Sequence, residues 1–188
     1  EYLASHAFAT AEIHDLRRSF EHTTGLDLNW FFNPWYMEGG HPVLTIAYKW
    51  NESDSVQEVI IEQTQNLERN PLYRLPVSID VYSDSGVTRK KVYLEERKQI
   101  FRFPALERPL LVNVDATKSL ICSKKDLHSR EEWRYMYEHG PLYLDRWEAM
   151  NALVKDYQAG TADASVIQKA WEDPSVTIRK MVLEYSGP

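Results

Sequence analysis

Histidines are the side chains of this sequence best suited to hold a metal ion, and there are six of them. A zinc site on a helix needs two histidines four residues apart, so that both imidazoles point to one spot. No pair has that spacing; two that share one helical stretch, eight residues apart, would be separated by about 12 Å along the axis. We therefore predict no metal site, and we expect every histidine to lie on the surface or to cap a helix: His6, His14, His22, His41, His128 and His139.

Nucleophilic and acid–base chemistry is equally unsupported by the residue spacing. No Gly-x-Ser-x-Gly segment occurs, and no helix start lies next to Cys122 to lower the pKa of its thiol. We predict that Cys122 is a small buried residue at a strand end. The paired Glu95-Glu96 and Glu131-Glu132 are neighbours in sequence, so their side chains point apart. The sequence therefore predicts no catalytic residue in this chain.

The elements that position these residues belong to a folded chain of 188 residues, 43% of them hydrophobic. The net charge of −6 opposes binding to phosphate backbones, so we predict no nucleic-acid partner. The basic run at Arg89-Lys90-Lys91 is typical of a solvated strand edge. No apolar run reaches the roughly 18 residues of a membrane span. The single Cys122 excludes an internal disulfide, and nothing in the sequence indicates a compartment.

Residues 1–41 are predicted to form a helical pair. Apolar residues recur at helical spacing before Gly25, which can end the first helix in the left-handed conformation. A second short helix follows, which Asp27 can cap and which Pro34 should kink or shorten. Its apolar face lies at positions i, i+3, i+4 and i+7, occupied by Leu28, Phe31, Phe32 and Trp35.

Residues 42–122 change to the two-residue period of strands. Six or seven short strands are separated by turn-like breaks such as Asn51-Glu52-Ser53-Asp54 and Ser83-Asp84-Ser85-Gly86. Strands without intervening helices predict an antiparallel β-sandwich of immunoglobulin-like architecture. An isolated β-barrel is the alternative that this pattern leaves open.

Residues 123–188 return to helical spacing. Ser129-Arg130-Glu131-Glu132 is a capping box, which predicts a helix start. A longer helix follows from Tyr143 to Gly160, and Asp163 or Ser165 should start the next. Short helices joined by tight turns are typical of a helical-repeat array, which needs several repeats to be stable. The predicted fold is thus multi-domain, and we expect the chain to be a piece of a longer protein.

The first of these segments closely resembles the end of the catalytic domain in the aminopeptidase N family of zinc metallopeptidases, the gluzincin aminopeptidases. That family carries Ser/Thr-Gly-x-Asp-Leu, then x-Phe-Phe-x-x-Trp, then Gly-x-Pro before a β-sandwich. The matching segments here are Thr24-Gly25-Leu26-Asp27-Leu28, Trp30-Phe31-Phe32-Asn33-Pro34-Trp35 and Gly40-His41-Pro42. Tyr143 to Met150 resembles the opening of the family's helical domain.

The resemblance implies the domain order of the chain. Residues 1–41 would be the last helices of a catalytic domain, residues 42–122 the sandwich, and residues 123–188 the start of a superhelical domain. It also implies that the longer protein removes N-terminal residues from peptides, using zinc held by His-Glu-x-x-His. Neither that motif nor the family's Gly-x-Met-Glu-Asn motif is in this sequence, and Met37-Glu38-Gly39-Gly40 is interpreted as a linker. Zinc and peptide substrates are therefore expected only in the longer protein.

The residues of interest for function are then those that join domains. We predict that a set of apolar side chains in the first segment forms a domain-docking surface against the catalytic domain, or a self-association surface in the isolated chain: Phe20, Leu28, Phe31, Phe32 and Trp35. The leading hypothesis is a non-catalytic structural segment of a zinc aminopeptidase. The alternatives are a scaffold protein with the same architecture but no peptidase activity, and a free-standing sandwich adhesion module.

Overall fold

The computed structural model describes residues 2–160 and 164–186. The N-terminal region contains the helices α1 (Tyr2–Ser5), α2 (Ile13–Thr24) and α3 (Asn29–Phe32), and a π-helical turn over Asn33–Met37. Helix α2 ends at Gly25, whose φ of 71° is left-handed and whose N–H donates to Glu21 O. Helix α3 gives way to the π-helical turn one residue before Pro34, as expected for a residue without a backbone N–H.

Seven strands form two separate sheets in the described part of the chain. They are β1 (Val43–Asn51), β2 (Val56–Gln63), β3 (Leu75–Ser83), β4 (Gly86–Leu94), β5 (Lys98–Pro104), β6 (Leu111–Val114) and β7 (Ser123–Asp126). The four-stranded sheet has the order β5-β2-β1-β7, and the three-stranded sheet has the order β4-β3-β6. The basic run lies on β4, at an edge of its sheet.

Apolar side chains from both sheets meet in one core. Alternate residues of β1 and β2, such as Leu44 and Ile61, pack with Leu75, Val77 and others from the three-stranded sheet. This alternation is the two-residue period of a sheet with one buried face. The sheets are therefore rich in antiparallel pairs and packed on one shared core rather than closed into a barrel.

The C-terminal region contains α4 (Arg130–His139), α5 (Tyr143–Gln158), α6 (Ala164–Lys169), a 3₁₀ turn (Ala170–Glu172) and α7 (Val176–Ser186). Helix α4 begins at the predicted capping box, where Ser129 Oγ accepts from Glu132 N and Glu132 Oε2 accepts from Ser129 N. Helix α5 ends before Gly160, which has a φ of 71°. The predicted start at Asp163 lies outside the described residues.

A second core joins these helices to the end of the three-stranded sheet. Met150, Leu153, Ile178 and other buried helix residues pack in one cluster with two sheet residues, Tyr82 and Leu111. The helical region is therefore not a separate body attached by a linker. It shares apolar side chains with the sandwich.

Strand β7 is the main departure from the sequence-based expectation. It pairs with β1 in parallel, so the sandwich is not purely antiparallel, and it lies beyond residue 122, in the segment predicted to begin the helical domain. Its sequence, Ser123-Lys124-Lys125-Asp126, contains no apolar residue and so carries no strand signal. The immunoglobulin-like detail of the sandwich and the three domain ranges stay predictions.

Candidate functional site

The predicted docking residues lie on α2, α3 and the π-helical turn, around one aromatic cluster. Phe32 is 3% exposed, at ring-centroid distances of 5.5 Å from Phe31 and 5.1 Å from Tyr36. Trp35 packs against Tyr73 of the sandwich at 4.8 Å. The cluster therefore anchors the N-terminal region to the sandwich, and Phe32 can support a docking surface only from beneath.

The other predicted residues are more accessible. Phe20 on α2 is 51% exposed, with its ring 6.5 Å from that of Phe32. Leu28 is half-buried, and its N–H donates to Glu21 Oε1 at 2.9 Å. Phe31 is also half-buried. Two exposed aromatic residues outside that set of five, Trp30 and Tyr36, extend the same surface.

An apolar groove opens beside this aromatic cluster. Its volume is about 460 Å³, and its walls come from α3, the π-helical turn, the start of β3 and the loop before β7. The guanidinium of Arg74 lies 4.9 Å from the ring centre of Trp30 and 4.7 Å from that of Tyr93. These cation–π contacts hold one wall of the groove in place. We call the groove and the exposed aromatic residues around it the aromatic surface.

A buried ionic network joins the sandwich to α5. Lys118 Nζ lies 3.0 Å from Asp145 Oδ1 and 2.7 Å from Glu148 Oε2. Asn113 of β6 donates to Asp145 Oδ1 at 2.9 Å, and Lys124 of β7 donates to Glu148 at 3.1 Å. Burial alone would lower the pKa of Lys118, but Glu148 and Asp145 outweigh it and raise the pKa. The network therefore fixes the angle between α5 and the sandwich.

His128 is the exception to the expectation that every histidine lies on the surface or caps a helix. Its side chain is fully buried, stacked on Tyr48 at 4.3 Å and against the edge of Trp133 at 4.7 Å. Its ring nitrogens lie 3.3 Å from Asp126 Oδ1 and 3.6 Å from Glu132 Oε2. That expectation was wrong for His128 because β7, absent from the sequence-based assignment, supplies the carboxylate of Asp126 and pairs with β1, the strand that carries Tyr48.

The groups around His128 have shifted pKa values. Burial raises the pKa of Tyr48 well above its usual range, and Asp126, whose Oδ1 accepts a 2.7 Å hydrogen bond from the Tyr48 hydroxyl, adds to the effect. Burial would also raise the pKa of Glu132, but His128 and the Ser129 N–H outweigh it and lower the pKa to about 2. The carboxylate of Glu132 is therefore held charged at the first turn of α4.

The described residues show no arrangement suited to nucleophilic or metal chemistry. Residues 2–160 and 164–186 contain no group of three His, Cys, Asp or Glu side chains able to hold a metal ion. Cys122 lies in a bend before β7, partly buried, and burial raises its pKa to about 11, so the thiol stays protonated at neutral pH. No helix within the described ranges is both long and apolar enough to cross a membrane. The absence of a metal or catalytic residue in this chain stays a prediction.

Sequence reasoning missed the residues at the junction of sandwich and helices. Asp145 and Glu148 share a face of α5, but nothing in the sequence shows which cation faces them. Their partners Lys118 and Lys124 come from a loop and from β7, so the pairing depends on the tertiary fold. The only local signal was the capping box that contains Glu132.

Comparisons with known proteins found a solved structure with a similar fold. No family model matches the sequence, and no curated protein matches it. The structure of a Legionella pneumophila aminopeptidase A, solved in complex with aspartic acid, is similar over 98% of this chain, with a TM-score of 0.71 and 20% sequence identity. The chain spans 22% of the length of that protein. The chain therefore has an aminopeptidase-like fold of mixed helices and sheets, equivalent to about a fifth of that aminopeptidase.

Proposed function

We propose that this chain is a non-catalytic structural segment of a zinc-dependent aminopeptidase of the gluzincin, aminopeptidase N-like family. The observation that carries the proposal is the match to an aminopeptidase over 98% of this chain, with a TM-score of 0.71. The motifs at residues 24–28, 30–35 and 40–42 support the same family. In this proposal residues 1–41, 42–122 and 123–188 belong to a catalytic, a sandwich and a helical-repeat domain.

The segment would act by holding the helical region at a fixed angle to the sandwich. The ionic network at Lys118, Asp145 and Glu148 and the shared core around Tyr82 and Leu111 hold the helices at a set angle to the sandwich. A rigid junction of this kind would keep a helical domain over the cleft of the peptidase. Only chain ends of peptides would then reach the catalytic zinc.

The aromatic surface would be the contact with the catalytic domain. Phe20 and Phe31 offer accessible ring area, Leu28 lies between them in sequence, and Phe32 and Trp35 support them from the core side. Aromatic side chains bury on the order of 150–250 Å² each on packing, so two of them make a substantial contact. The partner is intramolecular in the longer protein, and a second copy of the chain takes its place in isolation.

Zinc chemistry is assigned to the longer protein because the residues present do not fit a zinc ion. The histidine spacing is wrong, and the buried side chain of His128 faces two carboxylates that are already held by Tyr48 and Ser129. No catalytic step is therefore assigned to any residue of this chain. Peptide substrates likewise belong to the longer protein.

The test is an assay of the purified chain together with the sequence of its flanking reading frame. The chain should not hydrolyse aminoacyl chromogenic substrates and should contain no stoichiometric zinc, while the roughly 300 upstream codons should encode His-Glu-x-x-His. Zinc at one equivalent per chain would contradict the proposal. An upstream catalytic domain without the motif would favour the scaffold alternative.

A further inference from the structure

A second cleft lies between β7 and α5. It has a volume of about 700 Å³ and runs along the whole of β7 on one side. Its other side is one face of α5, where Glu148, Asn151, Ala152 and Lys155 follow the helical spacing of i, i+3, i+4 and i+7. We call this space the β7 cleft. It takes no part in the aromatic surface.

The main chain of β7 has an open edge beside this cleft. Ser123 N donates to Pro42 O and Leu127 N donates to Ile46 O, each at 3.0 Å, so these alternate residues face β1. The alternation directs the main-chain groups of Lys124 and Asp126 to the opposite edge. Over residues 2–160 and 164–186, no further strand pairs with β7 there. Such an edge is a template for another extended chain.

Two of the charged side chains that line the cleft have no ion pair among the described residues. Lys124 is paired with Glu148, Asp126 accepts from Tyr48, and Asp156 lies 3.6 Å from Arg130. Lys125 and Lys155 are exposed and line the same cleft, and the described part of the chain gives neither of them an ion pair. Three lysines and three carboxylates line the cleft, and Lys125 and Lys155 are the charges open to a ligand, on a protein whose net charge is −6.

The walls of the cleft also offer apolar area. Trp133 of α4 and Trp147 of α5 line it, both half-buried. Partly exposed tryptophan rings can cover the aliphatic side chains that alternate along an extended peptide. The cleft thus combines an open strand edge, two unpaired lysines and two indole rings.

We propose that the β7 cleft binds an acidic peptide in extended conformation, which adds to the four-stranded sheet as a new strand beside β7. Main-chain hydrogen bonds to Lys124 and Asp126 supply the affinity, and Lys125 and Lys155 select carboxylate side chains. A strand as short as β7 engages about four residues of the peptide.

The binding test uses three labelled heptapeptides, acetylated and amidated at their ends, measured by fluorescence polarisation. The first alternates Glu and Val, the second alternates Lys and Val, and the third is the Glu-Val peptide with alternate amides N-methylated. The Glu-Val peptide should bind saturably, and the other two should bind about tenfold or more weakly, since each lacks either the charge match or the strand hydrogen bonds. Equal binding of all three overturns the proposal.

A charge-reversal variant locates the site. Lys125→Glu with Lys155→Glu should weaken the Glu-Val peptide about tenfold and strengthen the Lys-Val peptide. The matched control, Lys90→Glu with Lys91→Glu on the edge strand β4, should leave both affinities unchanged. Bound peptide should also slow hydrogen exchange at the amides of Lys124 and Asp126.

Three results would contradict the site or its occupant. An equal effect of the control variant, or protection confined to other strands, would show that the peptide binds elsewhere. A chain that dimerises in sedimentation, loses the dimer in the Lys125→Glu and Lys155→Glu variant, and does not bind the Glu-Val peptide would show that a second copy occupies the cleft.

Discussion

The His128 ring lies where β1, β7 and α4 meet, with Asp126 and Glu132 on its two nitrogen-bearing sides and Tyr48 and Trp133 on its faces. These neighbours come from three elements, β1, β7 and the first turn of α4, so the position of the ring depends on the assembled fold. A buried polar ring costs free energy unless charged or hydrogen-bonding groups surround it. This cluster therefore stabilises the start of α4 only as long as its carboxylates stay ionised.

Replacement of Glu132 by Gln should make the chain less sensitive to acid. The pKa of Glu132 is lowered from 4.5 to about 2, so its contribution to stability is complete above about pH 4.5 and is lost as the pH falls toward 2. A shift of this size corresponds to at most about 3 kcal/mol, and partial exposure reduces it to about 2 kcal/mol. Urea unfolding at pH 7, 4 and 2.5 should show a smaller loss between pH 4 and 2.5 in Glu132→Gln than in the original chain.

The control for this prediction is Glu131→Gln, in the same helical turn but on the exposed face. It removes the same charge near the same helix end, while Glu132→Gln keeps a side chain that can serve the capping box. An equal change of acid sensitivity in both variants would show that the helix dipole, rather than the His128 cluster, carries the effect.

Lys118 should be far more important for stability than a surface lysine. Its side chain is 6% exposed, and its loss leaves Asp145 and Glu148 without their main counter-charge. Removal of one partner of a buried ion pair costs about 3–5 kcal/mol. Urea unfolding should show a loss of about 3 kcal/mol in Lys118→Met, but less than about 1 kcal/mol in Lys98→Met, whose pair with Glu62 is exposed. Similar losses in both variants would contradict a buried role for Lys118.

At the level of elements, the sequence predicted those whose side chains repeat with a regular period. Strands β1 to β6 and helices α4 to α7 carry that signal. Single residues also predicted the helix ends at Gly25 and Gly160, and the capping box at Ser129 predicted a helix start. The sequence did not predict strand β7, because its four residues are all polar. It did not predict the π-helical turn either, because that turn follows from Pro34 within an aromatic run. The ionic junction and the His128 cluster depend on β7, so they could not be predicted either.

The aromatic surface on α3 and the π-helical turn should drive self-association of the isolated chain. Trp30 is 37% exposed and Tyr36 is 52% exposed, and both line the apolar groove. Replacement of both by Ser removes accessible ring area but leaves Phe32 and Trp35, which hold the cluster to the sandwich, in place. Sedimentation equilibrium should show that the double variant is shifted toward monomer.

A matched control for the aromatic surface is Val87→Ser with Leu106→Ser, two exposed apolar residues away from the groove. This variant should keep the association of the original chain. If the Trp30 and Tyr36 variant instead loses its circular dichroism, these aromatic residues belong to the core and the docking proposal fails.

For the molecule as a whole, the two cores are connected. Tyr82 and Leu111 lie in the sheet but pack in the helical core, and the ionic network spans the same boundary. Neither core can therefore be exposed without uncovering side chains that the other region buries. A chain of two independent domains would instead have a polar boundary that opens at little cost.

The sandwich and the C-terminal helices should therefore unfold as one cooperative unit. Ile61 is fully buried in the sandwich core and Ile178 in the helical core, and replacement of either by Val costs about 1 kcal/mol. Native-state hydrogen exchange should show the slowest amides of β1 to β3 and of α5 accelerated about fivefold by either substitution. Val176→Ala, an exposed position on α7, should change neither set. Acceleration confined to α4–α7 in Ile178→Val would mean that the helices open on their own, and the junction at Leu111 and Lys118 would then be too weak to fix the angle of a helical domain.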